Sequence, residues 1–343
     1  MDRCRQILDY ITPYYTPSDY AALGAQYAEW VRTRPLDGLR ILDATPLFRN
    51  TLLKYRNLLA AGADLTIGLS PFISHNDQVL RFVSQELGLS TRSTDESRQA
   101  DNNYYDLILD CAGAFANCEA KIGYVELTRS GTEYYKDCTK PVYLADSSRI
   151  KEIETEYGTG ESFFRAMNQL GYHDFKDKNL VIFGAGKVGR GIRREATRQG
   201  CCITVVSDRE TAPKDCTTID YTDHRAATEA VCQAWAVVMA TGVRGALSQT
   251  VDPRAVAQSH ALLINMGAED EFGEKFAPDR LVERGRTLNF ILDEPTHLRY
   301  IDPTMTLHNY GALFVKEHRH LSGIITPDKM VEKLILNNSK INL

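Results

Sequence analysis

The sequence predicts an α/β protein of two domains, an N-terminal α/β layer and a C-terminal doubly wound parallel sheet of the Rossmann type. Three observations predict it. Strand-like apolar runs alternate with helix-spaced segments through the first third of the chain. A second alternating series begins at Asn179. Its first strand runs straight into a glycine turn that opens a helix, in "NLVIFGAGKVGRGIRREATRQGCCITVVSDRE", residues 179–210.

In chain order, "LRILD" (39–43) is an apolar run between "LDG" and Pro46 and reads as a buried strand. "RNTLLKYRNLLAAGA" has apolar residues at helical spacing and stops at Gly62; "DLTIGLS" is the next strand. "HNDQVLRFVSQELGLS" is helical, and "YYDLILDCAG" is a strand that ends on Asp110. Residues 146–176 are helical and connect the domains. Five apolar strands follow, "NLVIFG", "CITVVS", "AWAVVMATG", "ALLINMG" and "TLNFILD". "MTLHNYGALFVKEHRHL" and "TPDKMVEKLILNN" read as terminal helices. The expected domains are residues 1–155 and 156–310, with 311–343 as C-terminal helices of unassigned packing.

Composition narrows the partners. The 343 residues are 43% hydrophobic and 25% charged, with a formal net charge of −5. No excess of Lys and Arg is on hand to neutralise nucleic-acid phosphates. No apolar run reaches the roughly 18 residues of a membrane helix, and "MDRCRQILDYITPYY" lacks the apolar centre of a signal peptide. A cytoplasmic location is the default expectation. The eight cysteines (4, 111, 118, 138, 201, 202, 216 and 232) show no C-x-x-C spacing and read as reduced structural thiols. No metal-ligand spacing is present; "HRH" at 318–320 is an isolated surface-type run.

Gly184-Ala185-Gly186-Lys187-Val188-Gly189 fits G-x-G-x-x-G between a strand and a helix, the context in which the pattern binds a dinucleotide. Gly184 allows the turn, Gly186 lets backbone approach the pyrophosphate, and Gly189 allows close helix–strand packing. Asp208, at the end of the second strand, is placed for a ribose 2′-hydroxyl, although it suits an ordinary turn equally well. Ser207 and Arg209 flank it, and an Arg here accommodates a 2′-phosphate. The expected cofactor is NAD, with NADP as the alternative.

The order of these segments resembles S-adenosylhomocysteine hydrolase from about Leu39 to Asp328. "NLLAAGADL" is similar to that family's "TLVTLGAEV", "LILDCAG" to "MILDDGG", and "GYVELTRSG" to "GISEETTTG". "EYGTGES" looks like "LYGCRES", "GAGKVGRG" like "GYGDVGKG", and "ATG" and "INMG" like "TTG" and "CNIG". The resemblance implies that the N-terminal α/β domain binds substrate and the Rossmann domain holds NAD. It carries cofactor roles to Thr128, Ser130, Thr241, Gly242 and Asn265.

The family's catalytic residues mostly do not carry over. Its substrate His falls at Pro46, the second Asp of "DDGG" at Cys111, and the second Glu of "EETTT" at Leu127. The Lys of its "TKSKFDN" segment falls at Ile150, beside Lys151; the Asp and Asn there become Glu154 and Thr155. The Cys before "RES" becomes Thr159, and the His after "NIG" becomes Ala268. A Leu or Pro has no group to move a proton, so hydrolase activity is not expected. The C-terminus also lacks the family's "KPDHYRY" ending. A homo-oligomer, dimer or tetramer, is expected from the resemblance.

Candidate catalytic residues are Asp110, Glu126, Lys151 and Glu154 from the first domain, with His297 and His308 from the polar stretch "DEPTHLRYIDPTMTLHNYG" (293–311). Asp293, Glu294, Arg299 and Arg244 are candidate substrate contacts; an Arg suits a carboxylate. A surviving site is expected between the domains, at the carboxyl ends of the second sheet's strands. Each residue has a plainer role open to it. Asp110 would cap a turn, Glu154 and Lys151 would be solvated helix residues, and His308 would cap a helix. The leading expectation is an NAD(P)-dependent oxidoreductase transferring a hydride to or from a small polar metabolite. The alternatives are an internal oxidise–eliminate–reduce cycle on a nucleoside or thioether, and a non-catalytic dinucleotide sensor.

Overall fold

A computed structural model describes residues 2–341 apart from 72, 100–103 and 268, with backbone only at 97–99. The strands of the first unit described below are β1 (Arg40–Asp43), β2 (Asp64–Leu69), β3 (Ser90–Ser93), β4 (Leu107–Asp110), β5 (Gly123–Glu126) and β6 (Pro141–Leu144). Those of the second are β7 (Asn179–Phe183), β8 (Cys202–Ser207), β9 (Thr217–Asp220), β10 (Ala236–Met239) and β11 (Leu262–Asn265), after which β12 (Gly323–Ile325) returns to the first. The chain divides into a unit of Met1–Glu152 with His297–Leu343 and a unit of Ile153–Thr296. Residues 297–310, expected in the second domain, belong to the first unit, and so does the C-terminal stretch 311–343.

In the first unit the order is β12-β6-β5-β4-β1-β2-β3, and every pair is parallel. Strands β4, β5 and β6 are buried at every position, as parallel strands covered on both faces must be. The helix Leu298–Glu317 lies against β5 and β6, and Gly311 makes that approach possible: a Cβ there would fall 2.6 Å from Val125 Cγ1. The helix begins earlier than the sequence suggests. Pro303 reads as a loop residue but sits in the second turn, and Asp302 beside it has a long-range partner. The Asp302 carboxylate accepts from Ala22 N (2.9 Å) and Leu23 N (2.8 Å), capping the helix Ala21–Thr33, whose own N-cap Tyr20 makes no side-chain cap bond.

In the second unit the order is β11-β10-β7-β8-β9, again all parallel. Counted from β7 this is 5-4-1-2-3, so the chain reverses direction across the sheet between β7 and β10. The fifth strand is β9 and not "TLNFILD". In that segment Leu288 and Leu292 are buried four residues apart while Phe290 is exposed, a helical spacing, and Leu288–Ile291 forms a 3-10 turn. It keeps one isolated bridge, Thr287 to Asn265.

The connecting helix is continuous from Arg149 through a π-helical stretch, Glu154–Thr159, into Gly160–Gln169. Gly160 and Gly191 let it touch the helix Lys187–Arg198 backbone to backbone. A Cβ on Gly160 would fall 2.4 Å from Gly191 C, and one on Gly191 2.1 Å from Glu156 O. Among the described residues no helix is long and apolar enough to cross a membrane, no group of acidic, His and Cys side chains could hold a metal, and no cysteines are joined.

Candidate functional site

The glycine turn stands at the reversal point of the second sheet, where a ligand of a doubly wound fold sits. Strand β7 is apolar and buried from Leu180 to Phe183, which fixes the turn to the carboxyl edge. Gly184 has φ +100°, and a Cβ there would lie 2.5 Å from Ala240 O, at the end of β10. At Gly189 a Cβ would lie 2.0 Å from Gly184 O, so the helix can only pack this close without a side chain. Gly186 differs from both. A Cβ there would meet nothing within 4 Å. It is the N-cap of the twelve-residue helix Lys187–Arg198 and offers no side chain to the first-turn N–H groups. Beside it lies a concavity of about 170 Å³ lined by Gly184, Ala185, Gly189, Arg190, Arg193, Val205, Thr211 and Pro213. The first-turn N–H groups of a helix with no side-chain cap, its positive end and open space over Gly186 fit a pyrophosphate. Lys187 and Val188 open that helix.

At the end of β8, Ser207 is buried and its hydroxyl donates to Asp208 O (3.2 Å). Asp208 is exposed, and its Oδ1 accepts from Thr211 N at 2.8 Å, which holds the carboxyl below its ordinary range. It therefore closes a turn. Arg209 is exposed and pairs with Asp220 Oδ2 at 2.9 Å. Thr241 and Gly242 form the turn after β10. Thr241 N (2.8 Å) and Oγ1 (2.6 Å) donate to Glu271 Oε2, and Gly242 N donates to Oε1 (2.8 Å). Asn265 ties down the segment after β11: its Nδ2 donates to Glu269 O (3.0 Å) and Gly285 O (3.1 Å), and its Oδ1 accepts from Gly267 N (3.0 Å). Ala268 lies outside the described residues.

The first sheet also reverses, between β1 and β4, and buried polar groups crowd that edge. Asp43 pairs with Lys54, and its Oδ1 accepts from Thr45 N (2.9 Å). The Thr45 hydroxyl lies 3.5 Å from His308 Nδ1, and His308 Nε2 lies 3.2 Å from Val125 O. A carbonyl only accepts, so Nε2 carries the hydrogen and Nδ1 accepts from Thr45. Burial first, then the charge of Lys54, brings the His308 pKa down to about 3. Asp110 accepts from Cys111 N (2.8 Å), Phe115 N (3.0 Å) and the Tyr135 hydroxyl (2.6 Å). Burial, with the neighbouring Glu126 charge, pushes it up to about 8. Glu126, also raised by burial, accepts from Ala112 N (3.1 Å), Gly113 N (3.1 Å) and both Thr128 N and Oγ1 (2.7 Å each). Thr128 Oγ1 in turn lies 3.2 Å from Ser130 Oγ.

The structure thus brings Asp110, Glu126, Thr128, Ser130 and His308 to one edge of the first unit and engages each of them in hydrogen bonds. Lys151 and Glu154 are buried, 9% and 6% exposed, and are not the solvated helix residues that their charge suggests. The polar stretch is split. Asp293 is exposed and Glu294 half-buried at the end of the second unit, where Glu294 O accepts from Arg165 (2.9 Å). His297, half-buried, stands at the N-cap position of the helix Leu298–Glu317, and the exposed Arg299 stacks over Tyr300 (4.7 Å). Arg244 is exposed, 3.7 Å from Glu269. Sequence reasoning passes over Asp43, Lys54 and Glu271. The only signal for Lys54 is a charge inside a helix segment rich in leucine, and Glu271 has none.

A family model described as "Putative NAD(P)-binding" matches residues 172–278. The S-inosyl-L-homocysteine hydrolase of Methanosarcina mazei is 27% identical over 290 residues, 77% of this chain and 69% of that protein. The S-inosyl-L-homocysteine hydrolase of Methanopyrus kandleri is 27% identical over 219 residues, 54% of this chain. That match spans about half the length of the Methanopyrus protein, 49%. Among solved structures, a dipicolinate synthase chain from Bacillus halodurans aligns with TM-score 0.47 and 12% identity, over 83% of this chain and 99% of that one. The NAD-dependent formate dehydrogenase from Staphylococcus aureus, in complex with NAD, aligns with TM-score 0.37 and 13% identity, over 71% and 77%. The chain thus carries an NAD(P)-binding region at residues 172–278 and is similar, over about three quarters of its length, to a hydrolase of the S-adenosylhomocysteine-hydrolase-like kind from which it diverges.

Proposed function

We propose that the protein is an NAD(P)-dependent oxidoreductase that transfers a hydride to or from a small polar metabolite and does not hydrolyse S-adenosylhomocysteine. The observation that carries this reading is the open approach over Gly186, at the N-terminus of a twelve-residue helix and beside the 170 Å³ concavity. When bound, the nicotinamide supplies the hydride acceptor or donor. The remaining work falls to the chain. First-turn N–H groups of the helix Lys187–Arg198 take the pyrophosphate charge. The exposed Asp208 carboxylate, which holds Thr211 through Oδ1, takes a ribose hydroxyl. Of the two candidate histidines, His297 retains solvent access and serves as the acid–base group, whereas His308 is enclosed. Arg299 in the first unit or, as an alternative, Arg244 in the second is the exposed guanidinium proposed for a two-point contact with a substrate carboxylate. Pro46 and Leu127, where the resembling family has His and Glu, leave hydrolysis without its proton-moving groups.

Two findings favour a second reading, an internal redox cycle on a nucleoside or thioether. Both matched relatives bear a hydrolase name, and Lys151 and Glu154 are buried. Denaturing the purified protein and weighing the nucleotide released separates the two. An empty protein that then oxidises NADH or NADPH with a small carbonyl substrate supports external hydride transfer. Near one NAD per chain, with no exchange into solution, overturns it in favour of the internal cycle.

A further inference from the structure

Glu271 is fully buried beyond the end of β11, and its carboxylate accepts three hydrogen bonds from one turn. Thr241 N and Oγ1 bond to one carboxylate oxygen and Gly242 N to the other. The Thr241 hydroxyl, having donated to Glu271, accepts from Val243 N at 3.0 Å, which extends the pin by one residue. The fit is tight on the far side too: a Cβ on Gly267 would fall 1.9 Å from Glu271 Oε1. The pinned turn forms one wall of the glycine loop. A Cβ on Gly184 would meet Ala240 O at 2.5 Å and Thr241 Cα at 3.1 Å.

We propose that Glu271 is a positioning residue for the dinucleotide, holding the Thr241–Gly242 turn in the one conformation that leaves the glycine loop its shape. This rests on the dinucleotide reading above. Two amide donors and a hydroxyl donor converge on the site, and an ionised carboxylate accepts all three. A glutamine would turn its NH₂ toward one of the amides and leave that N–H unbonded. The segment that carries Glu271 is held independently of the side chain. Leu247 N donates to Glu271 O (2.9 Å), Gly245 N to Asp270 O (2.9 Å) and Ser248 N to Phe272 O (3.2 Å). Replacing the carboxylate therefore loosens the Thr241–Gly242 turn while the segment stays in place.

The pH dependence has a definite sign. Burial raises the Glu271 carboxyl, the Thr241 and Gly242 bonds oppose that, and the Glu269 charge adds to the rise. Glu269 is itself 3.7 Å from the Arg244 guanidinium. A protonated Glu271 loses an acceptor site, so dinucleotide affinity falls on the acid side.

The test is titration of NADH and NADPH into wild-type protein and Glu271→Gln across a pH series, with amide hydrogen exchange at Thr241–Val243 measured without ligand. The expected result is a Kd about tenfold to a hundredfold weaker in Glu271→Gln, a weakening toward acid pH in the wild type only, and faster exchange at the turn. Thr241→Val, which removes only the hydroxyl bonds, gives a smaller loss and serves if Glu271→Gln fails to fold. Equal Kd, equal pH profile and equal exchange overturn the proposal while the dinucleotide reading stands. A wild type that binds neither nucleotide overturns both.

Discussion

Lys54 and Asp43 form an ion pair in which neither side chain has any solvent exposure. Burial lowers the Lys54 pKa and the Asp43 charge opposes that fall. Such a pair costs much to break from one side, because the survivor is left charged and dry. Lys54→Met or Asp43→Leu alone is expected to lose about 3–5 kcal/mol in urea denaturation, and the double variant much less than the sum. Additive losses would mean that the two residues do not depend on each other.

The two outer glycines of the turn and the middle one predict opposite behaviour. Gly189→Ala drives a Cβ against Gly184 O and is expected to destabilise the second unit. Gly186→Ala meets open space at a φ of −71°, which any residue adopts, so its thermal unfolding should match the wild type. Its affinity for NAD(P)H should nevertheless fall at least about tenfold, through collision with the ligand. A Gly186→Ala protein that binds normally would place the pyrophosphate elsewhere.

His308 carries a pH signature in stability and none in neutral-pH activity. Its folded pKa, about 3, is below the ordinary imidazole value. As pH falls below that ordinary value, the unfolded chain takes up a proton that the folded one refuses. Stability then drops by up to about 1.4 kcal/mol per pH unit until the folded pKa is reached. His308→Gln is expected to flatten this part of the acid limb, and the His308 ring resonances in the wild type should not shift between pH 5 and pH 8. A ring that titrates near neutrality in that NMR series would return His308 to the acid–base candidates.

Much of the fold was legible because its signals are local. Strand, glycine turn and helix are contiguous from Asn179 to Arg198, and the first-unit strands β1, β2 and β4 are short apolar runs bounded by turn residues. What was not legible depends on partners far along the chain. Asp302 finds the helix Ala21–Thr33 some 280 residues away, a partner that no local pattern announces, and residues 297–310, expected in the second domain, lie in the first unit. "TLNFILD" has the composition of a strand, but the core takes Leu288 and Leu292 from one side of a turn; the weaker "TTID" run forms β9 instead. At the site, the glycines announced themselves. Glu271 did not, because its partners Thr241 and Gly242 lie about thirty residues upstream and a single Glu in "GAEDEFGEK" carries no pattern. His308 was legible as a polar residue in an apolar helix, but only its contacts with Thr45 and Val125 show how it is engaged.

The central claim is that the turn Gly184–Gly189 holds a dinucleotide, and the most direct measurement is an equilibrium titration of the nucleotide-stripped protein with NADH and with NADPH, alongside Gly186→Ala. Saturable binding of at least one of them at one site per chain, lost in Gly186→Ala with its fold intact, is the predicted result. No binding of either by a folded wild-type protein would contradict it.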